Sequence, residues 1–314
     1  MTRGSWHRLI AEASALLGDA GVTSPTSDAR ELAEFAAGVR RLPAADPTPD
    51  ERAMFSRAVA RRAAREPLQH ITGRMYFRWL ELVSRPGAFI VRPETEAVAQ
   101  DAVDEARRIA DRGGRPRVLD LCTGSGAIAL AVATEVPGSA VVGVDASAEA
   151  LQVARENNVA YGGLVEFVLA DALEFSCVRE SGDARESGDA RELGDARESG
   201  DARELGGVRG KFDVVVANPP YVPAHCELSP EVLADPAAAL WGGGEDGLDM
   251  PNALVEKAVG LLRPGGLLVM EHAEGQAAPL RRLALKTGFV KAETGVDLAG
   301  RPRWLRARLP LDEH

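Results

Sequence analysis

Short apolar segments alternate with helical segments from Arg117 onward, and this alternation limits the fold more than any other feature of the chain. The segments predicted as strands are RVLDLC, AVVGVD, VEFVLAD, FDVVVA and GLLVMEH, and helices are predicted over 127–136, 148–161 and 251–262. Such alternation is typical of a doubly wound parallel sheet, whose ligands bind at the carboxyl ends of the strands. The last segment, FVKAETGVDLAGRPRWLRARL, is predicted to add an antiparallel pair joined through Gly300. We therefore predict an α/β fold.

A small helical domain is predicted before this sheet, over residues 1–72. Its clearest helix start is TPDE, where Thr48 is the expected N-cap and Glu51 completes a capping box. Residues 73–96 follow as a linker that contains a predicted hairpin, MYFRWLELV. The α/β domain then takes residues 97–314.

Five near-identical hexamers interrupt the α/β pattern over residues 179–208, beginning with RESGDA and ending with RELGGV. A glycine in every hexamer disfavours a helix, at about 1 kcal/mol each relative to alanine, and the dense charge favours a solvated, disordered loop. Without this insert only residues 174–178 and 209–211 connect the third and fourth strands, which is an ordinary connection. We predict a tolerated loop expansion with no catalytic role, and a partner-binding tether is the alternative.

Composition indicates a soluble globular protein, because the 314 residues are 45% hydrophobic. The net charge of −10 argues against a general nucleic-acid binder, which would show a basic face. Cys122, Cys177 and Cys226 form no C-x-x-C pair, so we expect no metal site and a cytoplasmic location. No segment approaches the length needed to cross a bilayer, so no membrane partner is expected.

A glycine-rich turn, DLCTGSG, follows the first strand of the predicted sheet. Gly124 and Gly126 allow a sharp turn and a close approach of a ligand to the main chain. Asp145 ends the second strand, where a carboxylate can bind a ribose, and Asp171 ends the third, where an adenine edge would lie. Together they indicate a nucleoside-binding crevice, although each alone also fits packing or helix capping. NAD and S-adenosylmethionine are both candidates, and Ala129 in place of a third glycine favours the second.

The fourth strand, FDVVVA, ends at Asn218, Pro219, Pro220 and Tyr221, beside the same crevice. Asn218 offers an amide oxygen as an acceptor, the prolines fix φ and remove two backbone donors, and Tyr221 adds a flat face. Such a pocket suits a planar group that carries an NH2. It favours methyl transfer to an amide or exocyclic amine nitrogen, because the acceptors draw electron density onto that nitrogen and hold it in line. A purely structural turn is the alternative.

These residues resemble a known family, the HemK-type protein-glutamine methyltransferases, which methylate the glutamine of the Gly-Gly-Gln loop in peptide-chain release factors. The motifs that carry the resemblance are DLCTGSG, NPPYVP, RPETE, EPLQHITG, PGAFIVRPETE, DPAAALWGGGEDGLDM, LLRPGGLLVMEH and DLAGRPRWL. Apart from the insert, it covers the chain from about Glu66 to the end, and the helical start fits the family's small N-terminal domain in position and size. Asn-Pro-Pro-Tyr alone is shared with DNA adenine methyltransferases, which flip a base into a comparable pocket.

The resemblance implies a class I, Rossmann-like methyltransferase that uses S-adenosylmethionine. It implies catalytic and substrate-binding roles for Asn218, Pro219, Pro220 and Tyr221. The residues implied for cofactor binding are Cys122, Thr123, Gly124, Ser125, Gly126, Asp145, Asp171, Ala172 and Asn218. Residues 92–96 would lie near the methionine end of the cofactor or shape the substrate channel, and the helical domain would help to dock the release factor. We expect a monomer that makes no direct nucleic-acid contact.

Three departures from the family pattern stand out. Cys122 replaces the usual glycine, which predicts either weaker cofactor binding or a turn with negative φ. Val91 replaces a frequent proline, which is a minor change in stiffness. The insert enters between Asp171 and Asn218, and would restrict a large substrate if it folded over the crevice.

Two rival functions stay open at the level of the sequence. The first is the same chemistry on a ribosomal-protein glutamine or on an adenine in nucleic acid. Adenine methylation predicts a target-recognition domain or a basic face, and the sequence offers no sign of either. The second rival is a non-catalytic partner-binding scaffold, if Cys122 abolishes cofactor binding.

Overall fold

The computed structural model describes residues 5–178 and 207–312. The chain divides into two compact units. The first unit comprises Met1–Met75, Val83–Ile90 and Glu227–Pro236, and the second comprises Tyr76–Leu82, Val91–Cys226 and Ala237–His314. The domain boundaries that we placed at residues 72 and 96 from the sequence stay predictions.

The first unit is helical. Its helices are α1 (Trp6–Asp19), α2 (Pro25–Ala36), α3 (Pro49–Ala63) and α4 (Leu68–Thr72). The predicted capping box at the start of α3 is confirmed, since the Glu51 amide donates to the Thr48 hydroxyl and the Thr48 amide donates to the Glu51 carboxylate. Trp6 and Phe55 pack edge to face with ring centroids 5.8 Å apart, inside the apolar core of this unit.

Charged side chains also stabilise the first unit. The buried Arg62 guanidinium donates to Asp28 at 2.8 Å and to Glu231 at 2.8 Å, and Arg65 donates to Glu231 at 2.6 Å. The hydrogen bond from Arg65 is the main reason that the pKa of Glu231 falls to about 2. These ion pairs join three separate segments of the sequence, around Asp28, Arg62 and Glu231.

The strands within residues 5–178 and 207–312 form three sheets. The strands are β1 (Arg74–Phe77), β2 (Leu80–Val83), β3 (Arg117–Leu121), β4 (Ala140–Asp145), β5 (Val165–Leu169), β6 (Ser176–Val178), β7 (Gly207–Arg209), β8 (Phe212–Ala217), β9 (Leu262–Glu271), β10 (Lys291–Val296) and β11 (Pro302–Arg308). The described residues also form the α-helices α5 (Thr95–Ala110), α6 (Ala127–Glu135), α7 (Ala148–Ala160), α8 (Asp249–Leu261) and α9 (Ala277–Lys286), and short 3-10 helices cover Ala237–Ala239 and Glu274–Gln276. The pairing of β1 with β2 confirms the predicted hairpin.

The main sheet of the second unit confirms the predicted doubly wound α/β fold. It has seven strands in the order β10-β11-β9-β8-β3-β4-β5. Strands β9, β8, β3, β4 and β5 are parallel, and β11 runs antiparallel to both β9 and β10. Because β3 lies between β4 and β8, the carboxyl ends of these three strands share one edge, at the point where the strand order reverses.

The central strands are buried on both faces, as expected for a parallel sheet covered by helices. Each residue of β8 from Val214 to Ala217 is buried, as are all residues of β3 from Val118 to Leu121. Helix α6 is buried over Ala127–Ala133, which explains its continuous apolar sequence. These elements give the carboxyl edge of the sheet a rigid base.

The insert region is described only at its margins. Strands β6 and β7 pair in parallel, with Ser176 opposite Gly207 and Val178 opposite Arg209. Gly207 and Val208, which we assigned to the insert from the sequence, therefore belong to a strand, and Val208 packs against the main apolar core. The prediction of a disordered loop for the remaining hexamers concerns residues 179–206, which lie outside the described ranges.

Within residues 5–178 and 207–312, no helix is both long enough and apolar enough to cross a membrane.

Candidate active site

The turn after β3, residues Cys122 to Gly126 and hereafter the glycine turn, is fixed by main-chain hydrogen bonds. The Thr123 amide donates to the Val144 carbonyl of β4 at 3.0 Å, and the Gly126 amide donates to the Thr123 carbonyl at 2.9 Å. The turn alternates positive φ angles, at +58° for Cys122, +56° for Gly124 and +81° for Gly126. It then enters α6 directly, as the sequence predicts.

Gly126 is required by the space around it. A Cβ atom built there would lie 2.8 Å from Cζ of Phe167, which belongs to β5. Phe167 also fills the space over Gly143 of β4. The turn can therefore approach β4 and β5 only because both positions lack a side chain.

Cys122 does not adopt the negative φ that we considered from the sequence. Its φ of +58° lies in the left-handed region, where a non-glycine residue is strained. Burial raises the pKa of its thiol, and the carboxylates of Asp145, Asp120 and Asp171 raise it further. The side chain is therefore an uncharged thiol packed against the core.

Asp145 ties the glycine turn to the end of β4. Its Oδ2 accepts from the Gly124 amide at 2.8 Å, and its Oδ1 accepts from the Ser147 amide at 2.8 Å. Burial raises the pKa of Asp145, and these backbone donors oppose that effect. The structure thus brings together the predicted glycine turn and the predicted ribose acid.

Asp171 and Ala172 lie beyond the end of β5. Asp171 is exposed, and its Oδ1 accepts from the Leu173 amide at 2.8 Å. Ala172 is buried in the apolar core. Of the other residues implied for cofactor binding, Thr123 and Ser125 are buried, and the Ser125 carbonyl accepts from the Asn157 side chain at 3.0 Å.

Asp120 stands behind the glycine turn, and we did not predict a role for it. Its Oδ2 accepts from the Thr123 hydroxyl at 2.6 Å and from the Ala129 amide at 3.1 Å. Its Oδ1 is buried without a hydrogen-bond partner in the part of the chain that the structure describes. Burial raises the pKa of Asp120 to about 7.

The turn after β8, residues Asn218 to Tyr221 and hereafter the proline turn, is fixed by side chains. Nδ2 of Asn218 donates to the Thr95 hydroxyl at 3.2 Å, and the Tyr221 hydroxyl donates to Oε1 of Glu271 at 2.9 Å. Pro219 is buried and cannot donate a main-chain hydrogen bond. Thr95 belongs to the RPETE motif and begins α5, so the structure brings this motif to the predicted pocket.

Glu271, the last residue of β9, is a buried carboxyl that faces Tyr221 and Thr95. Its pKa is raised to about 7, chiefly by burial, while the hydrogen bonds from Thr95 and Tyr221 lower it. The Glu94 carboxylate raises this pKa, and the Arg303 guanidinium lowers it. Burial and the neighbouring Glu271 raise the pKa of Tyr221 well above its usual value, so the phenol keeps its proton.

A glycine-rich loop, residues 242–247, packs against the proline turn. The Val222 amide donates to the Leu240 carbonyl at 2.8 Å, and the Gly242 amide donates to the Val222 carbonyl at 3.1 Å. A Cβ atom on Gly242 would lie 2.8 Å from Cα of Tyr221, so the loop needs glycine there. The GGGEDGL sequence therefore supports the pocket through its backbone.

Gln276 completes this support. Its Nε2 donates to the Tyr221 carbonyl at 2.8 Å and to the Asp246 carbonyl at 2.8 Å, which joins the proline turn to the glycine-rich loop. Our sequence analysis assigned no role to Gln276 or Glu271. Glu271 lies near the end of the predicted strand GLLVMEH, and an acidic residue at a strand end is a signal that several positions share.

Two domain families match the chain. The family described as "PrmC N-terminal domain" matches residues 8–73, and the family described as "Methyltransferase domain" matches residues 118–194. The first match lies in the helical region and the second begins at β3, so both are consistent with the architecture described above.

Relatives with one shared name match almost the whole chain. A protein of Streptomyces coelicolor named "Release factor glutamine methyltransferase" is 42% identical, over 96% of this chain and 97% of its own length. Proteins of the same name from Bifidobacterium longum and Deinococcus radiodurans are 40% and 37% identical, each over at least 95% of both chains. The chain therefore belongs to the family of release factor glutamine methyltransferases.

Proposed function

We propose that this protein transfers a methyl group from S-adenosylmethionine to the side-chain amide nitrogen of the glutamine in the Gly-Gly-Gln loop of peptide-chain release factors. The observation that carries the proposal is the orientation of Asn218. Because its Nδ2 donates to Thr95, its Oδ1 is left to accept a hydrogen bond from a substrate amide. The names of the relatives supply the substrate class.

The carboxyl edge of the sheet fits S-adenosylmethionine. A Cβ atom on Gly124 would meet nothing within 4 Å, so open space lies against the main chain of the glycine turn. The unpartnered Oδ1 of Asp120 is a buried acceptor behind the same turn. The residues that would hold the cofactor are Cys122, Thr123, Gly124, Ser125, Gly126, Asp145, Asp171, Ala172 and Asn218.

When bound, S-adenosylmethionine supplies an electrophilic methyl group on a sulfonium sulfur. The amide nitrogen of glutamine is a weak nucleophile, because its lone pair is delocalised into the carbonyl. Oδ1 of Asn218 and the Pro219 carbonyl accept the two N–H groups of the substrate, which draws electron density onto the nitrogen and fixes its direction. No strong base is needed: the nitrogen becomes strongly acidic as it bonds the methyl carbon and the carbon–sulfur bond breaks, so its N–H proton passes to solvent water.

Pro219, Pro220 and Tyr221 shape the substrate pocket. The prolines hold the turn stiff and add no main-chain donors that would compete with the substrate. The ring of Tyr221 packs against the plane of the substrate amide, while its hydroxyl stays bonded to Glu271. We further propose that the enzyme acts in the cytoplasm as a monomer, and that the helical N-terminal domain helps to dock the release factor.

Mass spectrometry of a purified release factor, after incubation with this protein and S-adenosylmethionine, tests the proposal. A gain of one methyl group on the Gly-Gly-Gln peptide is expected, and a release factor in which that glutamine is replaced by alanine is the control. Methylation of the control at another residue, or of a ribosomal protein or an adenine instead, would contradict the substrate assignment. Failure to bind S-adenosylmethionine would favour the scaffold alternative.

A further inference from the structure

An asparagine amide has two ends of similar shape and opposite hydrogen-bonding sense. Only Oδ1 can accept from a substrate N–H, and a rotated amide would present Nδ2, whose hydrogens oppose those of the substrate. Pocket shape alone therefore does not make Asn218 an acceptor. Something in the fold must select one of the two orientations.

The partner of Asn218 is Thr95, which is fully buried. Nδ2 of Asn218 donates to Oγ1 of Thr95 at 3.2 Å. The backbone of Thr95 is itself fixed, because its amide donates to the Arg92 carbonyl at 3.1 Å where α5 begins. The position of this hydroxyl is thus set by the fold, but a hydroxyl can donate as well as accept.

Glu271 offers an acceptor for the hydrogen of this hydroxyl. Oε2 of Glu271 is buried and has no hydrogen-bond partner within the residues that the structure describes, and the Thr95 side chain is near enough to lower the pKa of this carboxyl. An ionised carboxylate only accepts, so a Thr95 hydroxyl that turns its hydrogen towards Glu271 keeps its lone pairs for Nδ2 of Asn218. The same carboxyl accepts from the Tyr221 hydroxyl at 2.9 Å, so it contacts one end of the proline turn directly and reaches the other only through Thr95.

We propose that Thr95 is a positioning residue that, with Glu271 as the acceptor of its hydrogen, fixes the amide of Asn218 with Oδ1 towards the substrate. Thr95 does not touch the substrate in this scheme. The inference rests on the proposed function for its consequence on catalysis, but the orientation of the amide can be measured without it.

Thr95→Val and Thr95→Ser separate the hydroxyl from the shape of the side chain. We expect T95V, which removes the hydroxyl, to lower kcat for release-factor methylation about 10- to 100-fold, because a misplaced reacting group costs on that order. The affinity for S-adenosylmethionine, measured by calorimetry, is expected to stay within about twofold of the wild-type value, since Thr95 is not among the residues proposed to hold the cofactor. T95S keeps the hydroxyl and is expected to recover most of kcat.

Thr134→Val is the matched control, because the Thr134 hydroxyl donates to the Leu130 carbonyl inside α6 and takes no part in the pocket. Assays at about pH 8 keep Glu271 mainly ionised, since its pKa is about 7. A T95V enzyme with wild-type kcat, or a T95S enzyme as slow as T95V, would overturn the proposal.

NMR of protein labelled with 15N at asparagine gives a readout that is independent of activity. The side-chain NH2 signal of Asn218, assigned by its loss in N218A, is expected to shift in T95V and to be retained in T95S. If wild-type protein binds S-adenosylmethionine and methylates no release factor, the proposed function fails, and this signal alone then decides the orientation. An Asn218 signal that is unchanged in T95V would show that Thr95 does not hold the amide.

Discussion

The glycine turn and the proline turn follow neighbouring parallel strands, yet they are held in place by different atoms. The glycine turn is fixed through main-chain amides that donate to Val144 and Asp145. The proline turn lacks two such donors, and it is fixed through the side chains of Asn218 and Tyr221. A buried carboxyl with a pKa of about 7 stands behind each, Asp120 behind the first and Glu271 behind the second.

This difference explains why the chain tolerates a cysteine in its glycine turn. A turn held through its main chain depends on backbone geometry more than on the identity of a side chain, so Cys122 can take the place of glycine at the expense of local strain. A turn held through side chains should be far more sensitive to substitution. The following variants test that contrast.

Asn218→Ala should have the largest effect. It removes one of the two substrate acceptors of the proline turn and should lower methyl transfer by about 100- to 1,000-fold, the size seen when one such hydrogen-bonding group is deleted. The fold should be retained, as judged by circular dichroism. The affinity for S-adenosylmethionine, measured by calorimetry, should fall far less than the rate, because the other residues proposed to hold the cofactor are unchanged. Near-wild-type turnover in N218A would remove the basis for the pocket.

Glu271→Gln should change how stability depends on pH. The folded-state pKa of Glu271 is raised from 4.5 to about 7, so the native protein binds more protons than the unfolded chain between these values. The free energy of unfolding should therefore fall as pH rises from about 4.5 to about 7, by up to about 3 kcal/mol from this residue.

Denaturant unfolding of the wild type and E271Q across this range measures the effect. E271Q should lack the contribution of Glu271, whereas the raised pKa of Asp120 should leave a dependence of the same sign in both proteins. Asp120→Asn is the matched variant at the glycine turn, and it should lack the contribution of Asp120 while keeping that of Glu271. Parallel curves for wild type and E271Q would mean that Glu271 titrates as an ordinary acid.

Asp145→Ala should weaken S-adenosylmethionine binding by about 10- to 100-fold, because a charge-assisted hydrogen bond contributes about 1.5–3 kcal/mol. The variant also removes the acceptor for the Gly124 amide, so Asp145→Asn, which keeps an acceptor oxygen, is the control. Calorimetry with S-adenosylmethionine gives the affinities. Unchanged binding in D145A would show that the ribose acid lies elsewhere.

Cys122→Gly should have the smallest effect, and it should be stabilising. Relief of a left-handed φ at a non-glycine residue gains about 1–3 kcal/mol, and the greater freedom of glycine in the unfolded chain offsets about 0.5–1 kcal/mol. We expect a net gain of about 1 kcal/mol in denaturant unfolding. Cys226→Gly, at an exposed loop position, is the control and should be neutral or slightly destabilising.

The sheet was predictable from the sequence because each strand carries its own signal. The predicted strands AVVGVD and FDVVVA match β4 and β8 residue for residue. β9 was predicted too short, because the predicted strand GLLVMEH leaves out Pro264 and Gly265. The structure places both inside β9, where its register against β8 shifts between Leu262 and Leu267. Proline and glycine are tolerated in a strand at such an irregularity.

The site was predictable only where neighbouring residues in the sequence form it. The glycine turn and the proline turn are contiguous motifs, so both could be recognised before the fold was known. The bond between Asn218 and Thr95 joins residues 123 positions apart, and that between Tyr221 and Glu271 joins residues 50 apart. These pairs depend on β9 lying beside β8 and on the place where α5 begins, which is information that the local sequence does not contain.

The left-handed Cys122 also bears on how this protein can evolve. Both cysteine codons become glycine codons by a change of their first base, so the relief of this strain lies one point mutation away. A population under selection for heat resistance would reach it without passing through a less stable intermediate. Cys122→Gly is therefore a stabilising substitution that a single base change can produce, and random mutagenesis with selection for stability should find it early.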